Sequence, residues 1–456
     1  MNILSSPRKR YLGGADWCIA ALSQGTLEAI GRRCVFQVAV VLEGIPDVDR
    51  LAAEFRAYCA RFPVLWGGPA RCWCLAPYWK VPAAPDPARP IPIGRSALPA
   101  GATQQEVVRQ VETLCNAHAA RGGWMTALDF VQVGAAECVL VFAFDHCLFD
   151  AVGAETFINL FFRQANGEAC DAEYPPARPV ASAQLDQWGQ KFRSGRKVNR
   201  MMLRLAEGAT SWLPLPPDAR QRPFRFRVLT FTPEESRRIQ ERAFAVAGYL
   251  MFTPYVLATA ATVLRPFFSR QSKADAHYVV SVSTDKRRSA VRPPHYFFND
   301  LSFLYFRFPV AAAADRDALA GVVREQLMNQ AKEDLPAAIE DANLLMRILP
   351  ARALWRFLQR LYRNRLASFG FTCLGESAVK ATAVQGCRVR DQIHFPVIPT
   401  PPGIGLILNQ NRGNYHAVLS YVEGVLSEED ADLLMADFHA RLVNASAGAV
   451  TRAEAP

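Results

Sequence analysis

The stretch Glu137-Cys-Val-Leu-Val-Phe-Ala-Phe-Asp-His-Cys-Leu-Phe-Asp-Ala-Val-Gly-Ala154 changes character halfway along. Residues 137 to 144 are a nearly unbroken apolar run rich in Val and Phe, which predicts a strand buried on both faces. From Ala151 to Phe162 the apolar residues recur at helical spacing. Between the two stand His146 and Asp150, an imidazole and a carboxylate at the corner where a buried strand becomes a helix. Both groups lose water there at a cost, and a buried charge persists only when it is paired. Chemistry is expected at this corner.

Outward from it, Trp124–Val133 forms a hairpin with the apolar run around Gly134. Cys34–Leu42 is a further strand, followed by a helix with Leu51, Phe55 and Tyr58 on one face and Asp47 or Asp49 as its cap. Cys72–Trp79 is expected as a strand, Pro82–Pro99 as a surface loop and Gln104–Ala120 as a helix. Residues 1–33 are expected to be irregular apart from a short helical patch, Ala15–Ala29. Prolines cluster at both ends of 174–224 around a basic helical stretch carrying Lys191, Arg193, Arg196, Lys197, Arg200 and Arg204.

Beyond it come a strand (Phe224–Phe231), a helix capped by Thr232, and strands at Tyr278–Ser283 and Phe297–Phe308. Helices at Arg316–Leu335 and Leu344–Leu366 follow, then strands at Ile404–Leu408 and Ala417–Val422 and a capped helix, Ser427–Leu442. The chain is therefore expected to be α/β with mixed sheets in two lobes. Residues 1–175 form one lobe, 224–456 the other, and 176–223 cross between them.

The 456 residues suffice for two or three cores; half are hydrophobic and 21% charged, which excludes a disordered chain. The net charge of +10 suits a polyanionic partner. No zinc finger, aromatic RNP run or basic zipper is present, so no nucleic-acid partner is expected. Eleven cysteines without a CxxC or a Cys/His cluster predict reduced thiols, no metal site and a cytoplasmic protein. The N-terminus lacks the apolar core of a signal peptide. Ala243–Leu264 is uncharged and long enough to span a bilayer. Gly248, Pro254 and its five hydroxyl-bearing residues instead predict a helix buried in protein, with no membrane span.

His146-Cys-Leu-Phe-Asp150 resembles the HxxxD signature of the acyltransferase superfamily with the chloramphenicol-acetyltransferase-like fold, which includes nonribosomal-peptide condensation domains and CoA-dependent acyltransferases. As in that family, the motif follows a buried strand, opens a helix and lies about a third of the way along the chain. Val41–Leu51 with Arg61-Phe-Pro-Val-Leu65, Ser283-Thr-Asp-Lys-Arg287, Phe298-Asn-Asp-Leu301 and Tyr415–Leu442 extend the likeness nearly end to end. Asp145 before His146 and Ala151 after Asp150 replace the second histidine and the glycine of many members, and the plant-type DFGWG element is absent.

The resemblance implies an active-site channel between the lobes and acyl transfer from a thioester onto a small-molecule hydroxyl or amine, in specialised-metabolite biosynthesis. It gives His146 the role of general base, suited to an imidazole that titrates near neutral pH. It gives Asp150 a supporting role, turned from substrate and paired with an arginine of the second half; Arg287 is the expected partner and Arg288 the alternative. Asn299 and Thr372 are candidate oxyanion donors. Arg352, Arg356 and Arg360, on one helix face, are candidates for docking the donor. No tightly bound cofactor is expected; acyl-CoA or a phosphopantetheinyl acyl- or peptidyl-carrier protein is the co-substrate, and the chain is expected to be a monomer. The same residues fit a free-standing condensation enzyme joining carrier-bound chains, or an inactive member acting as a binding subunit. Cys147 beside His146 is a further candidate nucleophile, although neighbouring side chains on a turning backbone diverge.

Overall fold

Val35–Glu43 and Glu137–Asp145 pair in antiparallel register, from Val35 opposite Asp145 to Glu43 opposite Glu137. The computed structural model describes every residue except 1–7, 72–75, 170–186, 250, 271–274, 288–294, 363, 364, 366 and 445–456. In chain order the first half gives β1 (Arg8–Tyr11), α1 (Gly14–Ile30), β2 (Val35–Glu43), α2 (Val48–Ala60), β3 (Gly68–Ala70), β4 (Tyr78–Val81) and β5 (Ile93–Leu98). It continues with α3 (Gln104–Arg121), β6 (Thr126–Val133), β7 (Glu137–Asp145) and α4 (Ala151–Ala165). Helix α5 (Trp188–Leu205) leads to β8 (Phe224–Thr230), α6 (Pro233–Ala247), α7 (Phe252–Ser269), β9 (His277–Asp285) and β10 (Leu301–Pro309). Then come α8 (Arg316–Lys332), α9 (Leu335–Met346), α10 (Ala351–Leu361), β11 (Gly370–Glu376), β12 (Ala383–Val384), β13 (Cys387–Phe395), β14 (Ile404–Asn411), β15 (Asn414–Val422) and α11 (Glu428–Val443).

The strands form two six-stranded sheets, ordered β12-β13-β2-β7-β6-β5 and β10-β9-β11-β14-β15-β8, and a small sheet, β1-β4-β3. Pairing is antiparallel except that β5 runs parallel to β6, and β11 parallel to β9 and β14. Local chemistry places the helix starts. Asp47 accepts from Arg50 N–H, and Thr103 with Glu106 and Thr232 with Glu235 make reciprocal caps. In the second lobe α7 is buried from Pro254 to Leu264 among α6, α8, α11 and its own sheet. A third apolar cluster joins the lobes: Val41 and Val141 of one sheet share it with Phe226 and Val418 of the other, beneath Val111 and Cys115 of α3.

Several expectations need correcting. The helix expected at Ala15–Ala29 is present as α1, one residue longer at each end, but the segment before it is not irregular throughout, since Arg8–Tyr11 is strand β1. The proline-rich passage contains β5, a half-exposed edge strand whose Gly, Arg and Ser weaken the alternation read from sequence. Of the strand expected at Cys72–Trp79, residues 72–75 lie outside the described residues and β4 begins at Tyr78. The uncharged run Ala243–Leu264 is two helices, α6 and α7, meeting at 95° after Gly248, whose φ of +100° suits a residue without a side chain. No single helix among the described residues is long and apolar enough to cross a membrane. Leu344–Leu366 likewise splits, because Pro350 cannot continue a helix and opens α10 instead. The lobe boundary at 224 is crossed as well: β13, deep in the second half, pairs with β2 in the first sheet.

Candidate active site

Strand β7 ends in a turn made by Asp145. Its carbonyl accepts from Leu148 N–H at 3.0 Å and Phe149 N–H at 3.1 Å, and its carboxyl accepts from Cys147 N–H at 2.9 Å. His146 donates its own N–H to Cys34 O at 3.0 Å. Asp150 then caps α4, Oδ1 accepting from Gly153 N–H at 2.8 Å. Gly153 answers a close approach: a Cβ there would stand 2.8 Å from the carbonyl oxygen of Tyr296. The glycine missing at position 151 is thus met two residues later by one that lets the second lobe's backbone in.

That backbone closes on the motif. Phe298 N–H donates to Leu148 O at 2.6 Å, Asn299 Nδ2 to His146 O at 3.0 Å, and Asp300 N–H to Asp150 Oδ2 at 2.9 Å. Phe298 sits at φ +70°, an unfavourable region for a bulky side chain. It is held there by Trp79 edge-on at 5.8 Å and by the Arg10 guanidinium 4.6 Å from its ring centre. Behind the motif, Arg287 Nη1 lies 2.9 Å from Asp150 Oδ2, with both side chains almost fully buried. Arg287 also reaches Asp285 Oδ1 at 3.0 Å and His295 O at 3.1 Å. Burial by itself would lower the arginine's pKa, but Asp150, Asp285 and Asp300 together raise it above its ordinary value. The ion pair expected of Asp150 and Arg287 is present; Arg288 lies outside the described residues.

His146 is half-buried, its ring edge-to-face with Phe36 at 5.4 Å. Nδ1 is sealed and has no hydrogen-bond partner, whereas Nε2 also has none but is not buried. The imidazole is therefore fixed through its backbone and its ring contact, with one nitrogen open. Asp145 beside it is fully buried; burial raises its pKa, against the opposing pull of Cys147 N–H and of Arg33 at 4.0 Å. The Cys147 thiol is pushed well above the ordinary thiol value by burial and by Asp145 and Cys34. A thiolate nucleophile at Cys147 is thereby disfavoured.

The other expected residues are less well placed. Asn299 is beside the motif, but Nδ2 is already engaged by His146 O and, at 3.4 Å, by Asp16 Oδ1. Those contacts hold the Asn299 amide against the motif. Thr372 is on β11 opposite Ile407, with no described hydrogen bond to the motif. Arg352, Arg356 and Arg360 are exposed on α10, and Arg352 pairs with Glu28 at 3.0 Å.

Asp16 was missed. It accepts Gly13 N–H and Asn299 N–H, each at 2.8 Å, and so ties α1 to the strand-linking segment. Its one signal in the sequence is a lone acid entering the apolar run Trp17-Cys-Ile-Ala-Ala21. An active-site channel was expected between the lobes; a cavity of about 560 Å³ opens among α1, α5, α9, α10, β9 and β10. His146 is not part of its wall. Helix α1 borders both regions, with Asp16 towards the motif and Cys18 and Leu22 towards the cavity. Among the described residues no cluster of three or more His, Cys, Asp or Glu could hold a metal ion.

No protein-family model matches the sequence, and no curated protein matches it significantly. Solved structures do resemble the fold along its whole length. The first condensation domain of the calcium-dependent antibiotic synthetase, in complex with a substrate analogue, aligns with TM-score 0.68 and 16% identity, covering 96% of each chain. The trichothecene 15-O-acetyltransferase TRI3 of Fusarium sporotrichioides aligns with TM-score 0.65 and 12% identity over 95% of this chain and 94% of that one. The condensation domain of the monacolin K polyketide synthase MokA aligns with TM-score 0.63 and 14% identity over 96% and 98%.

Proposed function

We propose that this chain, whose fold is that of the condensation-domain and CoA-dependent acyltransferase family, moves an acyl group from a thioester to a hydroxyl or amine. The observation that carries this reading is the open Nε2 of an imidazole clamped by backbone, with a buried ion pair behind it. In the reaction, Nε2 takes the proton of the acceptor as its oxygen or nitrogen attacks the thioester carbonyl. The tetrahedral intermediate collapses, breaking the carbon–sulfur bond, and the imidazolium returns its proton to the departing thiolate. Asp150 and Arg287 act as positioning residues: they hold the turn rather than touch substrate. The donor is acyl-CoA or an acylated phosphopantetheinyl carrier.

The test is thiol release across acyl-CoAs and acylated carrier proteins, with alcohols and amines as acceptors. His146→Ala is expected to remain folded and to lose at least about a hundredfold in rate, as loss of a general base does. Equal turnover by variant and parent would remove the mechanism. The likeness to condensation domains favours a second reading, a free-standing condensation enzyme; turnover with carrier-bound donors and none with acyl-CoA would select it.

A further inference from the structure

Helices α5 and α10 form opposite lips of the 560 Å³ cavity: Phe192, Arg196 and Met202 line it from one side, Phe357 and Leu358 from the other. The lips share an unusual surface. Helix α5 exposes Arg193, Arg196, Arg200 and Arg204, while its Lys191 is buried and its Lys197 pairs with Glu333 at 3.7 Å; α10 exposes Arg356 and Arg360 beside Arg352, which pairs with Glu28, and neither helix holds an acidic residue. Among these cations, large apolar side chains stand in water: Trp188, Phe192, Leu203 and Phe357 are each 43–53% exposed. Trp188 and Phe192 stack at 6.2 Å, one helical turn apart, and the Arg196 guanidinium lies 5.7 Å from the Phe192 ring. Ile348 and Leu349, in the turn leading into α10, are exposed too.

We propose that this face seats the protein on an anionic lipid surface, with the mouth of the apolar cavity turned towards the bilayer. Helices with Trp, Phe and Leu among Lys and Arg lie in the plane of a membrane interface, the rings entering the acyl boundary and the cations meeting the headgroups. Apolar patches of this kind on a water-facing surface mark an interaction site. A second copy of the chain fits the face poorly, because cations would oppose cations. An acidic carrier protein satisfies the charge but leaves the ring of apolar side chains unexplained. A layer of aliphatic chains under anionic headgroups satisfies both, and it adjoins a cavity lined mostly by apolar side chains. This docking does not depend on the acyl-transfer reading.

The test is co-sedimentation of the whole protein with phosphatidylcholine vesicles, with and without phosphatidylglycerol, at low and high salt. The parent is expected to pellet with phosphatidylglycerol vesicles and to be partly released by salt, since each cation at such a surface contributes about fivefold in partitioning. Arg196→Glu with Arg200→Glu should lose at least about twenty-five-fold by the same measure. Trp188→Ser with Phe192→Ser should also weaken binding while leaving the circular dichroism spectrum unchanged, both side chains being exposed already. Absence of pelleting at low salt overturns the proposal, as does binding indifferent to both double variants. So does saturable binding of an acyl-carrier protein to this face when vesicles do not bind; that outcome would assign the face to the carrier.

Discussion

Removing the Asp150 carboxylate is expected to cost stability first and activity as a consequence. That carboxylate accepts from Gly153 N–H, Asp300 N–H and Arg287, so it caps α4 and closes the contact between the lobes at once. Losing the cap costs about 1 kcal/mol. Truncating one partner of a buried ion pair costs about 3–5 kcal/mol, mostly because the other charge is stranded. Arg287 keeps Asp285 and the His295 carbonyl, which places its share at the low end, so Asp150→Ala should lose roughly 4 kcal/mol in all. Asp150→Asn retains an acceptor for the cap and should lose less. Arg287→Met in the Asp150→Asn background should cost less than the two single changes summed, by about 1 kcal/mol or more, because the stranded charge is gone. Urea denaturation of the parent, Asp150→Asn, Arg287→Met and the double variant, followed by tryptophan fluorescence, measures the cycle, with Asp150→Ala alongside. An Asp150→Ala midpoint equal to the parent's, or single changes that simply add, would refute the view that this pair pins the turn carrying His146.

Gly25→Ala should destabilise by about 1–3 kcal/mol, an overpacking cost, because a Cβ at that position of α1 falls 2.2 Å from the indole of Trp355; thermal unfolding reports it. Cys147→Ser should turn over thioesters at a rate close to the parent's, and parent activity should resist iodoacetamide, since the thiol is held neutral by burial. Buried Glu155 receives His394 Nε2 at 2.7 Å; burial raises its pKa, but His394, Ala378 N–H and Gln392 overcome this and hold it below the ordinary 4.5. A depressed acid contributes stability that is present above its unfolded value and lost as pH falls through its folded one. Glu155→Gln should therefore be less stable at neutral pH, and its urea midpoint should fall less steeply below pH 4.5 than the parent's.

The amino-acid sequence by itself determined the central strands β2, β6 and β7, helix α3, the capped helices α2, α6 and α11, and the strand–His–helix corner. These rest on neighbouring residues: unbroken apolar runs, helical spacing, and a cap three residues from the N–H it satisfies. Arg287 was also anticipated as the partner of Asp150, but through a family likeness and not through spacing. Only the tertiary structure decided that 298–300 closes on the motif, and that Asp16 anchors Asn299. It also placed β13 beside β2 and opened a cavity between α5 and α10. The reason is distance along the chain. Asp16 and Asn299 are 283 residues apart, and no local periodicity records which buried surfaces will meet once two sheets and the helices between them have packed.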